Sequence, residues 1–174
     1  MAQLSSLENF DDALLNFESF NLRPFSLPHI GNQINEIVGV LFIMESHCTD
    51  PLFFPDQHDN VNLKVEQPEL FYNIESKGFI DAFKAYLNTR KIVSDSESSD
   101  PKIRKGKSAY RKLAAVVKDG LNLEDNTKYP LEYVSIYNYF LRPSYKPAAT
   151  IKLCPKDEEV AYDALKHILM NGKY

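Results

Sequence analysis

The sequence has no tryptophan and only two cysteines, Cys48 and Cys154, which excludes a disulfide-dense scaffold and fits a reducing compartment or one bridge equally well. It has no N-X-Ser/Thr glycosylation acceptor, and Met1 to Phe10 lacks the basic start and apolar run of a secretory signal. A cytoplasmic location is therefore the expectation. Long hydrophobic runs are also missing. The longest, Ile37 to Met44, lies between Glu36 and Glu45, far short of the ~20 apolar residues that span a bilayer, so no membrane partner is expected. At 174 residues roughly 70% of the unfolded chain's surface can be buried, so a core forms without metals or disulfides.

Acidic residues are absent from Lys102 to Lys118, and this absence is the clearest feature of the chain. Overall the sequence is mildly acidic, at −4. Its halves differ sharply: residues 1–100 hold 6 Lys/Arg against 16 Asp/Glu, a balance of −10, and residues 101–174 hold 14 against 8, a balance of +6. Such asymmetry points to an anionic partner for the basic half, or to attraction between the halves.

The pattern of elements predicts an α+β fold in one domain spanning 1–174, with four or five helices on a small, mostly antiparallel sheet. Strand and helix alternate too irregularly for a doubly wound sheet. Ser5 and Glu8 form a capping-box pair, and Leu7, Phe10, Leu14 and Phe17 recur at helical spacing until Arg23-Pro24 ends the segment. From Gln33 to Glu45 one helical face competes with a buried strand, and a helix is the reading taken. Val61 to Val65 reads as a short strand and Phe79 to about Ile92 as a helix. Ser94 to Asp100 has no apolar residue and reads as a solvated loop at a subdomain boundary. Lys107 to Asp119 reads as a helix with Gly120 in the αL cap, and Pro155 to Met170 as the last helix. Tyr129 to Leu141 fits strand or helix, and Ala148 to Cys154 a strand.

Arg104, Lys105, Gly106, Lys107, Ser108, Arg111 and Lys118 form the candidate anion site, against the plainer reading of a solvated basic face. Lys107, Arg111 and Lys118 fall in one stripe at 100° per residue. Cations at a helix N-terminus oppose its macrodipole, and an anion on the free N–H groups there relieves the mismatch. Gly106-Lys107-Ser108 resembles the end of a phosphate-binding loop, but the required earlier glycine is replaced by Pro101 and no apolar strand precedes it. A nucleotide-hydrolysing loop is thereby rejected.

Other constellations carry less. Glu45, His47, Cys48, Asp50, Asp56, His58 and Asp59 include metal-ligand types, but only His47 and Cys48 are adjacent, without paired short spacing. No metal and no cofactor are expected, and a metal-dependent hydrolase is the weakest alternative. Cys154 precedes a helix, where a thiol is acidified, yet it reads first as a small buried hydrophobe. Tyr133, Tyr137 and Tyr139, near Lys128 and Arg142, read first as core packing, with a protein interface or a base-stacking surface as the alternatives. The leading expectation is a non-enzymatic regulatory protein holding an anionic partner, such as nucleic acid, on its basic helix. The alternative is a protein–protein adaptor or inhibitor using the tyrosine-rich segment.

Overall fold

The computed structural model describes residues 2–33, 39–48, 71–72, 88–105, 107–144 and 153–171, and its elements are arranged around one central strand. The expected strand at 61–65, the expected helix over 79–87 and the expected strand over 148–152 lie outside the described residues. Three strands are described: β1 (His29–Ile30), β2 (Leu41–Cys48) and β3 (Ser135–Ser144), in the order β1-β3-β2. Six α-helices accompany them: α1 (Ala2–Leu15), α2 (Glu18–Asn21), α3 (Thr89–Ser96), α4 (Pro101–Arg104), α5 (Ser108–Gly120) and α6 (Pro155–Asn171). The architecture is α+β, as the pattern of elements predicted. The antiparallel expectation holds for β1 and β3, but the longer pair, β2 on β3, is parallel, with Leu41 opposite Ser135 and Ile43 opposite Tyr137.

The helical reading of 33–45 gives way at its C-terminal part to β2. Leu41, Phe42, Ile43 and Met44 suit either element by periodicity, and pairing with β3 decides between them, since strand preference follows cross-strand packing more than local sequence. Tyr129 to Leu141 resolves into a 3-10 turn, Pro130–Tyr133, followed by β3. β3 is flanked by apolar clusters. Tyr137 and Leu141 join Leu14, Phe20, Phe25 and the α6 residues Val160, Ala164 and Ile168. Val134 and Ile136 join Val93 from α3, Tyr110 and Val117 from α5, and Leu131. Each fully buried Leu or Ile contributes roughly 1.5–3 kcal/mol.

Helix ends follow local chemistry. The first predicted helix breaks at Asn16 and Phe17, where Phe17 takes an extended backbone, and α2 is a separate turn. Asn88 caps α3 by accepting from Lys91 N–H at 2.9 Å, and Asp100 caps α4 by accepting from Lys102 N–H at 2.8 Å, with Pro101 in the first turn. The αL residue after α5 is Asn122 (φ 50°), in place of the expected Gly120. Helix α5 runs through Gly120, and Leu123 N–H to Lys118 O with Asn122 N–H to Asp119 O closes a Schellman motif two residues later than expected.

The polar segment 94–100 is not a solvated loop throughout. Residues 94–96 end α3, and Ser96 is buried with its hydroxyl donating to Val93 O at 2.7 Å. Glu97 accepts from Leu131 N–H at 2.9 Å, tying the segment to the turn before β3. Burial pushes the Glu97 carboxyl up to about 7, and nearby Glu132 adds to the rise, against the opposing Leu131 N–H bond. The folded protein thus holds a proton here that the unfolded chain releases near 4.5. This contribution to stability is full below pH 4.5 and lost as pH rises to about 7. Glu97→Gln, which keeps the acceptor, is expected to flatten that decline and raise stability at pH 7, as read by urea unfolding at pH 4.5, 6 and 7.5.

Candidate anion-binding face

The basic segment is held on the core by residues of opposite character to those it displays. Tyr110 and Val117 bury one face of α5, and Tyr110 Oη lies 3.5 Å from Asn138 Oδ1 of β3. Asn138 Nδ2 in turn donates to Thr89 Oγ1 at 3.1 Å, so the first turns of α3 and α5 share one buried polar anchor. Satisfied buried polar groups of this kind fix orientation. Burial raises the Tyr110 hydroxyl pKa, and the Asn138 contact opposes that rise.

With Tyr110 turned inward, Ser108, Arg111 and Lys112 are exposed, as are Lys102, Ile103 and Lys105. Arg104 is half-buried, and its Nε is buried without a partner. Among the described residues, Lys102, Arg104, Lys105, Arg111 and Lys112 have no carboxylate partner. The capping position of α5 is Lys107, whose side chain makes no cap, and the first turn contains no acidic residue. The positive end of the macrodipole therefore has no side-chain cap and no acidic residue in its first turn, and these five cations lie on either side of it in the chain.

Two of the expected site residues are engaged elsewhere. Lys107 Nζ donates to Ile103 O at 2.7 Å and lies 3.6 Å from Asp95, which also pairs with Lys91 at 2.9 Å. Lys118 Nζ donates to Asp125 O at 2.8 Å, drawing it toward the far end of α5. The stripe of Lys107, Arg111 and Lys118 is thus reduced to Arg111, and Lys102 and Lys112 take its place beside Arg104 and Lys105. Gly106 lies outside the described residues.

The tyrosine-rich segment is divided between core and surface. Tyr137 is fully buried between core side chains, and Tyr133 and Tyr139 are half-buried. Strand alternation sends Tyr137 into the core, and its hydroxyl is satisfied by Tyr139 O at 3.3 Å. Cys154 is a half-buried free thiol whose N–H donates to Asp157. No group of His, Cys, Asp and Glu among the described residues is arranged to hold a metal ion. Of the histidine and acid cluster, Asp50, Asp56, His58 and Asp59 lie outside those residues. No helix among them is long and apolar enough to cross a membrane.

One polar group went unmarked in the sequence. Asp157, fully buried, accepts from Arg142 Nε at 2.8 Å and Nη2 at 2.5 Å, from Tyr72 Oη at 2.8 Å and from Cys154 N–H at 3.0 Å. Burial alone would raise its pKa, but the bonds from Arg142, Tyr72 and Cys154 outweigh it and hold the carboxyl below its ordinary value. The available signal was an arginine in an apolar strand and an aspartate in the first turn of α6. No protein-family model matches the chain, and no curated protein or solved structure matches it significantly.

Proposed function

We propose that this chain is a non-enzymatic binding protein that holds a polyanion, with nucleic acid as the leading partner, on the face built by α4 and the first half of α5. The supporting observation is the set of five cations that have no carboxylate partner among the described residues, next to a helix N-terminus that has no acidic cap. Phosphates on such a face displace counterions, and binding that neutralises five of them falls with salt at a slope of about −4.5 in log units. Affinity for a 20-base-pair duplex is expected to drop roughly 500-fold between 50 and 200 mM salt. Fluorescence anisotropy across that range is the test, and salt-independent binding, or none at 50 mM, would refute the proposal.

Asp95 is the acidic group nearest this face that pairs with one of its lysines. Glu97 is instead turned to Leu131, and Asp100 caps α4, so neither competes for the ridge through a side-chain ion pair. Asp95→Asn is therefore expected to tighten duplex binding several-fold at low salt by releasing Lys107, since exposed pairs contribute only about 0–1 kcal/mol. Asp119→Asn, at the other end of α5, serves as the charge-matched comparison.

A further inference from the structure

A second site lies away from the basic face, in a cavity of about 260 Å³ between α2, the turn that follows it and α6. At its wall stands Arg23, only 5% exposed. Its Nη2 donates to Phe71 O at 2.9 Å and Tyr72 O at 2.8 Å, and its guanidinium lies 5.1 Å from the centre of each of those rings. No carboxylate pairs with it among the described residues. Its Nε and Nη1 have no partner among the described residues, yet neither is sealed from solvent. Arg142, the other buried arginine, has its aspartate. The counter-charge of Arg23 in the cavity is Glu18, which acts on it through space without an ion pair and is itself exposed to water. A buried guanidinium so weakly compensated is costly, and arginine's fork suits a carboxylate that could pair with it directly.

The remainder of the cavity limits which anion fits. Glu18 and Asp163 line it and are exposed, so its mouth is acidic, while Lys156 is paired with Glu159 at 3.1 Å. An inorganic dianion would meet this acidic rim unfavourably, whereas a ligand with an ammonium group would be favoured by it. Phe17 and His167, stacked ring on ring, form an aromatic wall. The volume lies below the ~300 Å³ at which pockets begin to take drug-sized ligands. We infer that this cavity binds a small zwitterion of the α-amino-acid type, its carboxylate on Arg23, its ammonium toward Glu18 and Asp163, and its side chain against Phe17 and His167.

The test is titration calorimetry on the full chain with L-alanine, L-leucine and L-phenylalanine, and with 3-phenylpropionate, 2-phenylethylamine and inorganic phosphate. At least one amino acid is expected to bind saturably with a Kd near or below about 1 mM, with L-phenylalanine at least tenfold tighter than either single-charge analogue. Asp163→Lys changes an exposed side chain and leaves the core intact. It is expected to weaken amino-acid binding tenfold or more and to improve binding of 3-phenylpropionate. Arg23→Lys should abolish binding of both, with circular dichroism checking that it folds. Absence of saturable binding by all three amino acids up to about 10 mM would overturn the inference, as would a preference for phosphate or an Asp163→Lys variant with unchanged amino-acid affinity. Duplex binding by the same Asp163→Lys protein reports separately on the basic face.

Discussion

Asp157→Ala is expected to destabilise the protein by about 3–5 kcal/mol. The substitution removes the carboxylate from a buried guanidinium and at once deprives Tyr72 Oη and Cys154 N–H of their acceptor. The cost is high because the Arg142 guanidinium and the Tyr72 hydroxyl remain buried after the carboxylate is gone. Against a usual total of about 5–15 kcal/mol, such a loss leaves the fold marginal at room temperature. Urea unfolding followed by circular dichroism measures it directly. Replacing Arg142 and Asp157 together by Met and Leu should recover much of the loss, because a well-packed apolar pair avoids the desolvation of both charges. The pH dependence separates this group from Glu97. Asp157 has a lowered folded value, so its stabilisation is present above its ordinary 3.8 and lost as pH falls further, the reverse of Glu97.

Gly31→Ala is expected to destabilise by about 3 kcal/mol, at the upper end of the usual overpacking range. A Cβ on Gly31 would overlap the Glu132 carbonyl and lie 2.9 Å from its Cα. These are backbone atoms, so relief requires separating β1 from the turn before β3. That movement strains Gly31 N–H to Val134 O at 3.1 Å, Gln33 N–H to Glu132 O at 2.8 Å and His29 Nε2 to Leu131 O at 3.1 Å. Gly120→Ala is the comparison. A Cβ there meets nothing within 4 Å, and the residue ends α5, so alanine should be neutral or stabilise by up to about 1 kcal/mol. A thermal melt of both variants beside the parent protein distinguishes the two outcomes.

What could be read from the sequence was whatever short-range chemistry decides. Helix α5 announced itself by the spacing of Tyr110, Leu113, Ala114 and Val117, and α6 by Pro155 followed by Asp157 and Glu158, and both appear within two residues of the expected ends. Pairing across the chain was not legible. Residues 41–48 became a strand because β3 lies alongside, and nothing local to Leu41 through Met44 specifies that neighbour. The clustering of tyrosines left Tyr137 open between core and surface, and its place in the alternation of a central strand buries it. Ser94 to Asp100 misled through polarity: Ser96 and Glu97 enter the protein because Val93 O and Leu131 N–H satisfy them. For the basic face the residue types were legible and their availability was not, since Lys107 and Lys118 are claimed by Asp95, Ile103 O and Asp125. Arg142 and Asp157 stand fifteen residues apart with no periodic relation, and only the fold brings them together.

The measurement that bears most directly on the polyanion-binding face compares two variants with the same loss of charge. In one, Lys105, Arg111 and Lys112 become glutamine; in the other, Lys128, Lys156 and Lys166 do. Duplex affinity is measured for each between 50 and 200 mM salt. The proposed face requires the first variant to lose about 0.9 from the salt slope for each phosphate contact removed, close to 2.7 in all, while the second keeps the parent slope. Equal slopes for the two variants would contradict it, because the attraction would then reside in net charge and not in the α4–α5 surface.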